Sequence, residues 1–359
     1  MPPGRDDPSV APWHAGVVRR RPTRLPARQR TTPADALCGS RSSNGGQVMA
    51  VGEQSWAPAE VDVERPNAAR MYDHMLGGAN NFQVDRDAAN AILDVAPEVR
   101  TTAQANRAFL RRVVEHVAGN GVRQFLDLGS GIPSVGNVHQ VAHAVDPACR
   151  VVYVDHEPVS VAHSRAMLRD VPNTAVVHAD IREPATILSH DHTRQLIDFD
   201  QPVAVLMISV LHFVPGDLAQ LIAVYRRPLV AGSYLAVSHA SRTAPTIRTE
   251  TVEKLYTRTP TPLQLRTREQ IRALFDGLDL VHPNPASGGP ADLVPVTDCR
   301  PEPADPDLDP EVAASPFVAG FLAAVGHVPP PTAARAAQAR TRNLHFESSA
   351  RPSPASAHT

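Results

Sequence analysis

The densest chemical information in this chain lies in a short acid- and glycine-containing stretch. In Arg123-Gln-Phe-Leu-Asp-Leu-Gly-Ser-Gly-Ile-Pro133 an apolar strand runs into a glycine turn and then into a helix. Such a turn presents backbone N–H groups, and its glycines let a ligand approach the main chain closely. A dinucleotide loop reads G-x-G-x-x-G. Here Gly129 and Gly131 fit, but the third position is Ser134 and the next glycine is Gly136. Asp127, two residues before the turn, would repel a pyrophosphate. The same carboxylate attracts a ligand that carries an ammonium and a sulfonium and has no phosphate, by a few kcal/mol at most in a partly solvated cleft. S-adenosyl-L-methionine is such a ligand, and the loop favours it over NAD.

Two further acids stand at the ends of the next apolar runs. Asp155 closes Val151-Val-Tyr-Val154, at the carboxyl edge where open α/β sheets bind ligands, and can accept both ribose hydroxyls. Asp180, in His178-Ala-Asp-Ile181, can accept the adenine amino group while Ile181 packs on the ring. Either acid alone reads equally well as a helix cap; three acids at three successive strand ends are harder to dismiss. His156 and Ser209 fall at the same edge and join the expected cofactor site. His212, just past the run Val203–Ser209, is the candidate general base, since imidazole titrates near neutral pH. The alternative is a hydrogen bond to a loop carbonyl.

Other histidines read as surface groups. His139 and His143 have helical i, i+4 spacing without an acidic or cysteine third ligand, so an exposed face explains them, as it does His190-Asp-His192. No metal site is expected. Gly-x-Ser-x-Gly and Walker patterns are absent from the sequence.

Strand-like pieces at Gln124–Leu128, Arg150–Val154, Thr174–His178, Val203–Ser209 and Tyr234–Ser238 must position these groups. They alternate with helical pieces at Val135–Ala144, Pro158–Arg169 and Gly216–Leu229. That alternation indicates a parallel sheet covered on both faces. Thr267-Arg-Glu-Gln270 resembles a capping box, and Leu278–His282 with Leu293–Thr297 is expected to form a terminal antiparallel pair. Before the sheet, three helices are expected: one from Pro66 stopped by Gly77 and Gly78, one over Asp85–Val95, and one over Thr102–Ala118.

Composition sets the limits. The chain has 359 residues, 42% hydrophobic, enough for one large core, and its net charge of -2 gives no reason to expect nucleic acid or an acidic membrane. No apolar run reaches the roughly 18 residues of a membrane span. Three scattered cysteines (Cys38, Cys149, Cys299) and no compact apolar leader suit a reducing cytoplasm. The 35 prolines crowd the two ends of the chain. Residues 1–63 read as an irregular extension, with Met49 an alternative start; 64–120 as a helical cap; 121–300 as the core. Residues 301–328 are left unassigned, and 329–359 read as a disordered tail.

The segments Arg70-Met-Tyr-Asp-His-Met-Leu-Gly-Gly-Ala-Asn-Asn-Phe82, Asn106-Arg-Ala-Phe-Leu110, Phe125–Pro133, Val152-Tyr-Val-Asp155 and Val210-Leu-His-Phe-Val-Pro215 resemble the actinobacterial S-adenosyl methyltransferase family. The resemblance covers about residues 64–300. It implies a class I, Rossmann-like methyltransferase core with a three-layer α/β architecture, a sheet ending in antiparallel strands, and an N-terminal helical cap. It also implies that Tyr72, Gly78 and Asn81 of the cap help to hold the cofactor. Members commonly end on an aromatic- and glycine-containing strand that closes in basic residues, and Phe317–His327 departs from that pattern. The function expected is methyl transfer from S-adenosyl-L-methionine to a small-molecule acceptor. The rivals are a cofactor-binding regulator without turnover and, more remotely, an NAD(P)-dependent oxidoreductase.

Overall fold

The computed structural model describes residues 61–133, 136–242, 247–282, 291–299 and 315–330. Of the expected irregular extension and tail, all but 61–63 and 329–330 lie outside the described residues.

Three helices come first: α1 (Ala68–Met75), α2 (Gln83–Val95) and α3 (Glu98–Gly119). Then β1 (Gln124–Leu128), α4 (Val138–Val145), β2 (Arg150–Asp155), α5 (Pro158–Leu168) and β3 (Thr174–His178) alternate. After two short helices, α6 (Pro184–Ser189) and α7 (Asp191–Leu196), the alternation resumes with β4 (Ala204–Ile208), α8 (Leu218–Arg226) and β5 (Tyr234–Ala240). The chain continues through α9 (Ile247–Tyr256), α10 (Arg268–Ala273), β6 (Asp279–Leu280), β7 (Val294–Pro295), α11 (Pro316–Ala319) and β8 (Phe321–His327).

The strand order is β3-β2-β1-β4-β5-β8-β6, with β7 also on β8. From β3 to β5 every pairing is parallel. The Val- and Leu-rich β1 and β4 are buried along their whole length because helices cover both faces. One face packs Phe125, Val151 and Tyr153 against Phe109, Val113 and Val117 of α3. The other packs Leu126, Val152 and Val154 in one cluster with Ile222 and Tyr225 of α8 and Phe275. Sequence order reverses at β1 and β4, so the carboxyl ends of those strands flank the crevice where doubly wound sheets bind ligands. Thr267 caps α10 with the expected box: its hydroxyl accepts from the Gln270 N–H, and Gln270 Oε1 accepts from the Thr267 N–H at 2.9 Å.

The far edge differs from the sequence expectation. Segments 278–282 and 293–297 do not pair with each other. Each contributes a two-residue strand, and both lie antiparallel on β8. β8 itself comes from the unassigned segment and pairs with β5 over seven positions, from Tyr234↔His327 to Ala240↔Phe321. The free edge of a seven-residue buried strand needs a partner of matching length, which a two-residue strand ending in Pro295 cannot supply. Gly326 permits the fit, because a Cβ there would lie 2.8 Å from Leu278 Cδ1 and 2.9 Å from Phe275 Cδ1. Helix α9, which the sequence reading does not contain, joins the cap through Val252, packed with Met71, Met75 and Ile92. No helix among the described residues is long and apolar enough to cross a membrane.

Candidate functional site

The glycine turn leaves β1 tied to the end of β2. The N–H groups of Gly129 and Ser130 both donate to Val154 O, at 2.8 and 3.1 Å. Gly129 (φ +72°) and Gly131 (φ +66°) occupy the left-handed region that glycine adopts without a steric penalty. A Cβ on Gly129 would sit 2.2 Å from Val210 Cγ2, whereas one on Gly131 would meet no atom within 4 Å. Asp155 completes the turn: Oδ2 accepts from the Gly131 N–H at 2.7 Å and Oδ1 from the Glu157 N–H at 2.9 Å. Burial raises its pKa, and those donors act against the rise. Each oxygen keeps a free lone pair for a further donor.

Asp127 lies on β1, 5% exposed. Burial pushes its carboxyl up to about 7, with Arg107 of α3 drawing it down and Asp155 pushing it further up. A carboxylate so little solvated favours a cationic ligand.

On the other side of the crevice, Ser209 follows β4 with φ +59°, unusual for a residue with a side chain. Its N–H donates to Ser238 Oγ at 2.9 Å, and that hydroxyl donates to Asn106 Oδ1 at 2.6 Å. Asn106 Nδ2 donates to the Tyr72 hydroxyl at 3.0 Å, which donates in turn to Ala103 O. This continuous chain of hydrogen bonds ties β4 and β5 through α3 to α1. His212 sits on a single 3₁₀ turn, 3% exposed, with Nδ1 accepting from the Ala240 N–H at 3.3 Å. Burial holds its pKa well below the usual imidazole range, and the nearby His239 and Arg266 act in the same direction.

These groups converge on one cavity of about 210 Å³ at the carboxyl ends of β1, β2, β4 and β5. Of the sequence candidates, Tyr72, Asp127, Gly129, Gly131, Asp155, His156, Ser209 and His212 line it. Asp180 and Ile181 line an adjacent cavity that shares Gly129, Asp155, His156, Val210, Phe213 and Thr261 with the first. The Asp180 carboxylate is already occupied: its oxygens accept from the Arg182 N–H, Nε and Nη2. Arg182 holds the Asp180 pKa below its ordinary value, although desolvation opposes it.

Gly78 and Asn81 are not brought to either lining. They build the turn after α1 around Asp73, whose Oδ2 accepts from the Asn80 N–H and Asn81 Nδ2 at 2.9 and 2.8 Å. A Cβ on Gly78 would lie 2.1 Å from Asp73 Oδ1, so the turn requires glycine. His139 is buried rather than on an exposed face, its Nδ1 2.8 Å from the Tyr153 hydroxyl.

A model of the S-adenosyl methyltransferase family matches residues 54–325. The chain belongs to that family. A protein of Thermobifida fusca YX described as a candidate methyltransferase is 37% identical, with a TM-score of 0.68 over 76% of this chain and 98% of its own. A DUF574 family protein of Streptomyces avermitilis MA-4680 is 33% identical, with a TM-score of 0.65 over 75% and 99%. No curated protein matches the chain.

The methyltransferase thus carries an S-adenosyl-L-methionine-binding fold of the class I type. The donor set fits the cofactor: two buried carboxylates and an exposed backbone turn suit a ligand with an ammonium and a ribose diol. Sequence reasoning missed Arg107 and Asn106 as groups of the site. A signal existed, because Asn106 interrupts the apolar stripe Ala105, Phe109 and Val113 and yet is 2% exposed. A buried amide inside a helix needs partners, and here they are the hydroxyls of Tyr72, which lines the cavity, and of Ser238.

Proposed function

We propose that this S-adenosyl-L-methionine-dependent methyltransferase holds the methionine ammonium at Asp127, the ribose at Asp155 and the α-carboxylate at Arg107. The acceptor is a small molecule bound beyond Ser209 and His212. The supporting observation is the convergence of Asp127, Asp155 and two positive-φ glycines on one cavity at the carboxyl ends of β1 and β2. The bound cofactor supplies an activated methyl group, and transfer breaks the sulfur–carbon bond as the acceptor–carbon bond forms, leaving S-adenosylhomocysteine and a proton. The protein's task is alignment and exclusion of water. Helix α1 lies over the cavity and contributes Tyr72 and Asp73 to its wall, which suits that task.

His212 enters this reading as a positioning group rather than the general base expected from sequence. Its Nδ1 accepts a backbone N–H, so the ring proton sits on Nε2, and burial disfavours a second proton. Asp180 is read as a wall of the adenine end, its carboxylate oriented by Arg182. Cys149 and Cys299 are unpaired thiols, in keeping with a cytoplasmic setting.

The pH dependence of binding tests the role of Asp127. Its carboxyl titrates at about 7 in the free protein, and a bound ammonium favours the ionised form and lowers that pKa. Binding therefore releases a proton below about pH 7. Cofactor affinity should rise with pH through that region and level off above it. Asp127→Asn should weaken binding and flatten the profile. An unchanged profile in Asp127→Asn would place the titrating group elsewhere. Turnover of a labelled methyl group into a metabolite extract separates an enzyme from a regulator.

A further inference from the structure

The cavity extends beyond the carboxylates and glycine turn to α9, α11 and β8, and its two halves differ in chemistry. Among the described residues, the ionisable side chains in its wall outside the His212 and tyrosine rings come from α1, α3, β1, the end of β2 and the turn after it: Asp73, Arg107, Asp127, Asp155, His156 and Glu157. The opposite half is walled by Met75, Val252, Tyr256, Leu263, Phe317 and Phe321, and α9, α11 and β8 bring no ionisable group to it except the Tyr256 phenol. His212, between the halves, is held neutral by its burial. The Arg248 guanidinium, over the Phe317 ring at 5.6 Å, is already paired with Glu98. An ion placed in this second half would therefore lose its hydration and meet no unpaired countercharge among the described residues.

Aromatic rings gather in that half. Phe213 and Tyr256 have ring centroids 5.5 Å apart, and His212 lies 4.4 Å from Phe213 and 5.6 Å from Phe321. Edge and tilted arrangements of this kind accept a further planar ring well. The Tyr256 hydroxyl has no hydrogen-bond partner among the described residues, although burial raises its pKa strongly. Two neighbouring hydroxyls are engaged: Tyr72 with Ala103 O and Asn106, and Ser241 with Gly320 O at 2.7 Å. A half-buried phenol facing an apolar chamber without a partner is suited to a single polar group on a ligand.

We infer that the methyl acceptor is an uncharged aromatic alcohol, seated among Phe213, Tyr256 and Phe321, with the Tyr256 hydroxyl as the hydrogen-bond partner of its oxygen. The inference rests on the reading of this cavity as the methyl-transfer site. Tyr256 acts by positioning the acceptor: the acceptor's oxygen–carbon bond would form as the donor's sulfur–carbon bond breaks, and the hydroxyl proton would leave to solvent through the cavity mouth. The aromatic walls supply affinity, and the lack of a nearby countercharge supplies selection against ions.

Four probes test it by calorimetry at neutral pH on the full chain, with and without S-adenosylhomocysteine: 2-naphthol, 2-naphthoate, (2-naphthyl)methylammonium and naphthalene itself. The neutral alcohol should bind at least about tenfold more tightly than either ion. Tyr256→Phe keeps the ring and should weaken 2-naphthol by about three- to tenfold, the worth of one hydrogen bond, without a matching loss for naphthalene. Equal or tighter binding of either ion, absence of 2-naphthol binding, or equal losses for naphthol and naphthalene would overturn the inference. S-adenosylhomocysteine is titrated separately. Its failure to bind would strike the methyltransferase reading, and the probe series on the ligand-free protein would still decide the character of the chamber.

Discussion

Arg70→Ala should lower the stability of the protein by about 3–5 kcal/mol, the usual result of removing one partner from a buried charge cluster. Arg70 is 2% exposed, and its guanidinium donates four hydrogen bonds. Nε donates to Asp85 Oδ2 at 2.9 Å, Nη1 to Glu157 Oε1 at 3.2 Å, and Nη2 to the carbonyls of Asp62 and Arg65. Removal leaves the Asp85 and Glu157 carboxylates buried without a cation. Glu157 is also the N-cap of α5, its Oε2 accepting from the Ser160 N–H at 2.7 Å, and it stands two residues after Asp155. The arginine thus clamps the cap onto the end of β2. The denaturation midpoint should fall accordingly, by on the order of 10 °C in a thermal scan. A shift of only a degree or two would mean that the cap is not held through this residue.

Gly129→Ala and Gly131→Ala should separate the two duties of the glycine turn. Both residues have positive φ, so each alanine meets a backbone penalty of roughly 1–2 kcal/mol. At Gly129 the methyl also collides with Val210 at 2.2 Å, and overpacking of that kind adds roughly 1–3 kcal/mol. Gly129→Ala should therefore be strongly destabilised, by about 2–5 kcal/mol in all. At Gly131 the methyl enters open space in the cavity wall. Gly131→Ala should stay folded and instead bind S-adenosylhomocysteine at least about tenfold more weakly, because the methyl occupies space reserved for the ligand. Comparable stability in the two variants, measured by urea denaturation, would contradict the close packing of Gly129 against Val210.

The strands that carry these groups were legible because burial on both faces leaves a plain mark. Gln124–Leu128 and Thr174–His178 appear with the bounds read from sequence, and Asp127 and Asp155 were legible as acids at the ends of apolar runs. What the sequence hid are contacts between distant segments. The bond from Arg70 to Glu157 joins residues 87 positions apart, and no local pattern encodes it. The polarity of Gly78 and Asn81 read as ligand chemistry, but the fold uses it internally, on Asp73. The edge strand was hidden for a different reason. Segments near Leu278 and Leu293 look strand-like by composition, whereas the strand that β5 needs is Phe321–His327, whose small residues weaken the β signal and fit close packing. Helix α9 mixes Val252, Leu255 and Tyr256 with exposed charges, and it is tertiary packing against the cap that fixes it.

In the proposed function, Asp155 and the glycine turn hold the adenosyl ligand at the carboxyl ends of β1 and β2. Titration calorimetry of S-adenosylhomocysteine against the wild-type chain and Asp155→Ala, with NAD as the comparison ligand and a melting curve for each protein, tests it directly. The wild type should bind S-adenosylhomocysteine and not NAD, and Asp155→Ala should bind it more weakly by about 2–3 kcal/mol while still folding. Equal affinity in a folded Asp155→Ala variant, or binding of NAD at the same site, would contradict the account.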